Sequence, residues 1–160
     1  MHPKDMLLAQ YDLHTRLFIN CLKDFTDETA DRRAVPGINH VKWLAGHLLA
    51  VRINMGKWAG ADTELSWLPL FQAGTSAADD TSVYPPLAEI IAKWNEVSPA
   101  IRTAYASLSD EALQAPSPFP QPCGNSFISM WAFLEHHQAY TIGQVSLIRR
   151  MIGLEAMKYN

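Results

Sequence analysis

Cysteine is nearly absent: Cys21 and Cys123 are the only two in 160 residues, too few for a disulfide framework. Cys21 falls on an apolar stripe and reads as a small buried hydrophobe. Cys123 lies in a loop as an accessible thiol, with nothing nearby in sequence to activate it. Charge is scarce as well, at 18% of residues with a net of −3, and no Lys/Arg stripe follows any helix. Nucleic acid is therefore not an expected partner. The one basic cluster, Arg149–Arg150, is placed to complement a helix C-terminus. No apolar run approaches the ~18–20 residues that cross a bilayer, because Gly46, His47 and Arg52 interrupt the best window. The N-terminal MHPKDMLLAQYD lacks the apolar core of a signal peptide. A cytoplasmic protein with no membrane partner is expected. Internal repeats and low-complexity tracts are missing too, which excludes solenoids and disordered tails.

What the chain does have is hydrophobic periodicity. With 48% hydrophobic residues, a chain of this length can bury roughly 70% of its unfolded surface as one domain, residues 1–160. Leu7, Tyr11, His14, Phe18, Cys21 and Phe25 alternate at spacings of four and three, predicting a first helix from about Lys4 to Phe25. FTDETADRRAVPGI ends it, with Pro36–Gly37 as breaker. Asn39 is the expected N-cap of a second helix reaching about Ala59, whose inward stripe is His40, Leu44, His47, Val51, Met55 and Trp58. No period holds from Gly60 to Tyr84 apart from an apolar knot at Leu65–Phe71. A link of that length fits a connection running back along a bundle.

Pro85–Pro86 opens a third helix, with Leu87, Ile90, Ile91, Trp94, Val97, Ile101 and Leu108 inward. Pro99 in its interior predicts either a kink or a restart capped by Ser98. LSDEALQAPSPFPQPCGN is a loop with one helical turn at its start. The last helix begins near Ser126, with the stripe Phe127, Trp131, Leu134, His137, Thr141, Val145, Ile148 and Ile152. Four amphipathic helices, no convincing strand and one long crossover between the second and third define an all-α four-helix bundle.

The polar residues on these apolar stripes are the functional signal, since burying them costs free energy unless each finds a partner. His137 and Thr141 interrupt the last stripe, with Gln144 on its edge, and His47 interrupts the second. His40 shares the face of His47 but lies about 10.5 Å along the axis, too far to share one ion with it.

Two of these segments also resemble a known family. NHVKWLAGHLLAVR, residues 39–52, and HQAYTIGQVSLIRRMIGL, residues 137–154, are similar to the second-helix and last-helix signatures of the DinB/YfiT-like superfamily of metal-binding helical bundles. LSDEAL and SWLPLF add to the likeness, which covers nearly the whole chain. The resemblance implies an up-down-down-up bundle, often a homodimer. It also implies a zinc or nickel ion held by three histidines with open positions for water or substrate. Some relatives are thiol-dependent transferases; others act in isomerisation or hydrolysis.

Carried over, the first two ligands fall on His47 and His137 and the third on Thr141, whose neutral hydroxyl is a weak donor to a divalent cation. Gln138 stands where relatives often carry Glu. Metal binding is accordingly expected to be weak or absent. His47 and His137 are either a surviving partial metal site or two histidines bonded to each other, to Thr141 or to buried water. His14, inward on the first helix, is either a replacement ligand or an ordinary core or rim histidine. Tyr140 either orients a substrate through its hydroxyl or packs at a helix interface. Gly143 is expected to let helices approach and Gln144 to bond across the bundle.

Trp43, Trp58, Trp94 and Trp131 are expected in the core, and the knot at Trp67–Phe71 at a pocket mouth or in a satellite cluster. The leading expectation is a degenerate metal site in a small-ligand-binding or dimeric module. The alternative is a divalent-metal-dependent enzyme of the thiol-S-transferase or hydrolase type, using metal-bound water. A third is an interaction protein whose polar patch only enforces specificity.

Overall fold

Caps and prolines divide the described residues into six α-helices. A computed structural model describes residues 2–160: α1 Pro3–Leu22, α2 Asp27–Asp31, α3 Val41–Trp58, α4 Leu87–Ser107, α5 Asp110–Gln114 and α6 Phe127–Met151. Short 3-10 turns sit at Leu68–Phe71 and Thr81–Val83. Among the described residues no strand forms; a single isolated bridge joins Pro116 and Ser126. The four long helices make one helical bundle, with α1 packed on α4 and α6, and α3 packed on the same two helices.

α1 stops three residues short of the expected Phe25, because Lys23 turns extended and Asp24 takes φ 67°. Both basic residues lie in the last turn of α6, and Arg149 also reaches across to the Cys21 and Lys23 carbonyls, answering the unpaired carbonyls at the end of α1. The stretch expected to be irregular contains α2, nucleated by the Thr26 cap. Asp27 of α2 accepts from Lys42 of α3 and from the Leu87 amide, which Pro86 leaves without a side-chain cap.

His40, not Asn39, caps α3: its Nδ1 accepts from the Trp43 amide at 3.1 Å. Asn39 ties down the long link by accepting from Ala77. α3 is buried on nearly every side, so it forms the centre of the bundle. A side chain at Gly46 would put Cβ 2.2 Å from the Phe71 ring; only glycine lets the 3-10 turn lie against α3 there. Gly143 serves no such purpose, since nothing lies within 4 Å of a Cβ built on it.

α4 runs unbroken through Pro99, and Ser98 caps nothing. Its hydroxyl donates to the Trp94 carbonyl one turn back and accepts from Arg52. α5 is the expected single turn, capped by Ser109, and α6 begins near Ser126 as expected, with Ser126 its cap. Phe18 stacks on Trp94 and Tyr105 on Trp131, with ring centres 3.8 and 3.9 Å apart. Trp43, Trp94 and Trp131 are core residues, but Trp58 is 37% exposed at the end of α3.

Candidate functional site

His47 is held from two sides before any neighbour on α6 is considered. Trp43, one turn back on α3, stacks on its ring at 4.8 Å and 8°. Nδ1 lies 2.8 Å from the Phe71 carbonyl, brought there by the 3-10 turn over Gly46. A carbonyl can only accept, so Nδ1 carries the proton and Nε2 of the neutral ring presents its lone pair. His137 of α6 brings its own Nε2 to 3.2 Å from that lone pair. Two imidazoles from segments 90 residues apart therefore do converge. The Nδ1 of His137 is buried and has no hydrogen-bond partner among the described residues.

The two rings form one wall of a cavity of about 440 Å³, whose other lining includes Val51, Asn54, Trp58, Phe119, Phe133 and Leu134. This volume lies within the ~300–1,000 Å³ range of small-molecule sites, and the mostly apolar lining is typical of them. Trp58 and Phe119 pair at its rim, ring centres 5.2 Å apart. Burial holds the pKa of His47 below the ordinary imidazole value. It pulls His137 down to about 4, helped by the neighbouring charges of His47 and His136.

This shift has a stability consequence. Between about pH 4 and the unfolded value of ~6.5, the unfolded chain binds more protons than the folded one. The contribution is therefore full above about pH 6.5 and is lost as the pH falls toward 4. Allowing for the partial exposure of the ring, acidification from pH 7 to 4.5 should cost the wild type about 1–2 kcal/mol more than His137→Gln. Urea midpoints at both pH values measure the difference, and parallel pH profiles would show that the ring is not desolvated.

The remaining sequence candidates go elsewhere. Gln138 is buried but faces away from the cavity; its Oε1 accepts from Arg52 and its amide donates to the Met55 sulfur. His14 is not a replacement ligand: its Nδ1 pairs with Glu135 at 2.6 Å, both buried in the α1–α6 seam. Tyr140 is 64% exposed and points into solvent. Gln144 is half-buried and makes no side-chain bond among the described residues, so it does not bridge the bundle. Thr141 is buried one turn beyond His137 but does not line the cavity. Of the apolar knot, Phe71 is core and its carbonyl orients His47. Cys21 is buried, its thiol pushed up to about 12 by burial. Cys123 is exposed beside an open groove between α1 and α6.

Sequence reading missed Arg52 and Glu135. Arg52 is completely buried, its guanidinium sandwiched between the rings of Tyr11 and Trp94 at 3.9 and 3.8 Å. It donates to Gln138, Thr15 and Ser98. The available signal was an arginine in mid-helix between Val51 and Ile53, a position that demands partners.

A metal ion can be tested against these donors. Two ligand nitrogens at 2.0–2.1 Å from a tetrahedral ion stand about 3.3 Å apart, close to the 3.2 Å found here. The set stops there: among the described residues no group of three or more His, Cys, Asp or Glu side chains is placed to hold a metal. Two neutral imidazoles without a third ligand do not fit a three-histidine ion.

A model of the DinB superfamily matches residues 10–145. A crystal structure of a conserved protein from Enterococcus faecalis is similar at 13% identity with a TM-score of 0.64, covering 95% of this chain and 98% of that one. That likeness extends to the fold alone. No curated protein matches the chain. No helix among the described residues is long and apolar enough to cross a membrane.

Proposed function

The chain belongs to the DinB superfamily, and we propose that it is a small-ligand-binding member with a degenerate metal site. The cavity over His47 and His137 would take a compact, largely apolar molecule. The observation that carries this reading is the pairing of a mostly apolar cavity of about 440 Å³ with two imidazoles hydrogen-bonded to each other. Thr141 in place of a third imidazole gives up the family's metal chemistry. The helices are read as up-down-down-up with the long crossover between α3 and α4. Supporting this, Lys4 at the start of α1 reaches the Ala106 and Leu108 carbonyls at the end of α4. Arg149 late in α6 reaches the end of α1, and Asp27 joins the starts of α3 and α4.

Metal-free protein should bind indole saturably, with Kd on the order of 0.1 mM for a ligand of this size. Val51→Trp, which fills the cavity, should abolish that binding in calorimetry while leaving the far-UV circular dichroism intact. Binding undiminished in the filled variant would overturn the reading. So would one tightly held zinc or nickel per chain, lost in His47→Ala, in protein purified without chelator or nickel resin.

That second outcome belongs to the alternative, a divalent-metal-dependent transferase or hydrolase. One observation favours it: the 3.2 Å spacing of the two Nε2 atoms suits ligands of a shared ion.

A further inference from the structure

We infer that the occupant of this cavity is an uncharged alcohol or phenol, seated with its hydroxyl between Nε2 of His47 and Nε2 of His137. The inference rests on the ligand-binding reading above and adds the chemistry of the ligand. The Phe71 carbonyl fixes His47 with its proton on Nδ1 and a bare lone pair on Nε2. His137 must then carry its proton on Nε2, 3.2 Å away. The other tautomer would set two lone pairs face to face and strand an N–H at the buried, unpartnered Nδ1. The pair thus sets one acceptor and one donor facing each other across 3.2 Å, so a ligand atom entering between them would meet both.

A single ligand atom that answers both must itself donate and accept, and a hydroxyl does. It would accept from His137 and donate to His47, making two bonds where the empty pair makes one. The rings must part by roughly 1 Å or more to bring both to ordinary length and angle. An ether accepts from His137 but leaves the His47 nitrogen unpaired. A hydrocarbon gains neither bond. A carboxylate would enter a wall of Val51, Phe119, Phe133 and Leu134 where, among the described residues, no Lys or Arg lines the cavity. An ammonium finds no Asp or Glu there either.

The test compares four probes of matched size on EDTA-treated protein at pH 7.5: p-cresol, 4-methylanisole, p-xylene and 4-methylbenzoate, by calorimetry. p-Cresol should bind tightest, by at least about tenfold over the ether and the hydrocarbon, because unpaired polar groups in a site discriminate strongly. In His47→Leu the preference should fall below about threefold while p-xylene still binds, which also shows that the variant is folded. Imidazole nitrogen shifts should report His47 protonated at Nδ1. Equal binding of p-cresol and p-xylene, tightest binding of the benzoate, or the opposite His47 tautomer would each overturn the hydroxyl assignment and leave the cavity reading standing. Failure of all four probes to bind would instead sink the cavity reading itself.

Discussion

Thr141→His should raise the affinity of this protein for zinc or nickel by on the order of a hundredfold or more. Residues 137 and 141 are one turn apart on α6, so their side chains leave the helix on the same side. His47 is already oriented for coordination, because its Nδ1 donates to the Phe71 carbonyl and its Nε2 lone pair points at His137. Such outer bonds to a ligating histidine are themselves worth about 10–100-fold in affinity. A third imidazole would complete the donor set usual for zinc with an open fourth position. Both present rings are held neutral at pH 7 by burial; His47 offers its Nε2 directly, and His137 must move its proton from Nε2 to Nδ1 to ligate, which releases no net proton.

Competition against a chromophoric chelator measures the gain. Adding His47→Ala to the Thr141→His protein should remove it. No gain at all would mean that α6 does not present positions 137 and 141 together toward α3.

Arg52→Met should destabilise the fold by about 2–4 kcal/mol, read from urea unfolding midpoints. The substitution strands the buried Oε1 of Gln138, at about 1–3 kcal/mol for an unpaired buried acceptor, and takes a donor from Thr15 and Ser98, whose hydroxyls keep their bonds to the Tyr11 and Trp94 carbonyls. It also removes a guanidinium from between two aromatic faces, where each contact contributes about 0.5–2 kcal/mol. Relief of the desolvation that pulls the Arg52 pKa down offsets part of this loss, as it does at other buried charges.

Arg52→Lys should fail to rescue stability, because a compact ammonium can neither stack between the rings nor serve three acceptors in a planar fork. Gln138→Leu combined with Arg52→Met should recover at least about 1 kcal/mol relative to the sum of the single changes. Additive effects in that cycle would show that the two side chains do not depend on each other. A single Arg52→Met protein as stable as wild type would mean that the buried charge contributes nothing net.

Helix content followed from local chemistry that any reader of the chain can inspect. The four-and-three spacing of apolar residues, the Ser126 cap and Pro85–Pro86 each act within a few residues, and the helices form where they indicate. The meeting of His47 with His137 was also legible, because each interrupts an apolar stripe and must find a partner inside. The same reasoning left the partners of Gln138, Tyr140 and His14 open. A helical stripe gives only the angle of a residue about its own axis, and a small rotation of α6 decides which neighbour that angle meets. Gln138 turns to Arg52, Tyr140 to solvent and His14 to Glu135.

α3 shows the limit most clearly. It is buried on almost every side, so no periodicity within it distinguishes the face toward α6 from the faces toward α4 and the Phe71 turn. By itself the sequence determined which segments are helical and which polar side chains must be answered from within the bundle. Only the tertiary structure decided who answers them, because Arg52 and Gln138, or His47 and the Phe71 carbonyl, come together through the rotation and stagger of packed helices and the path of a long link.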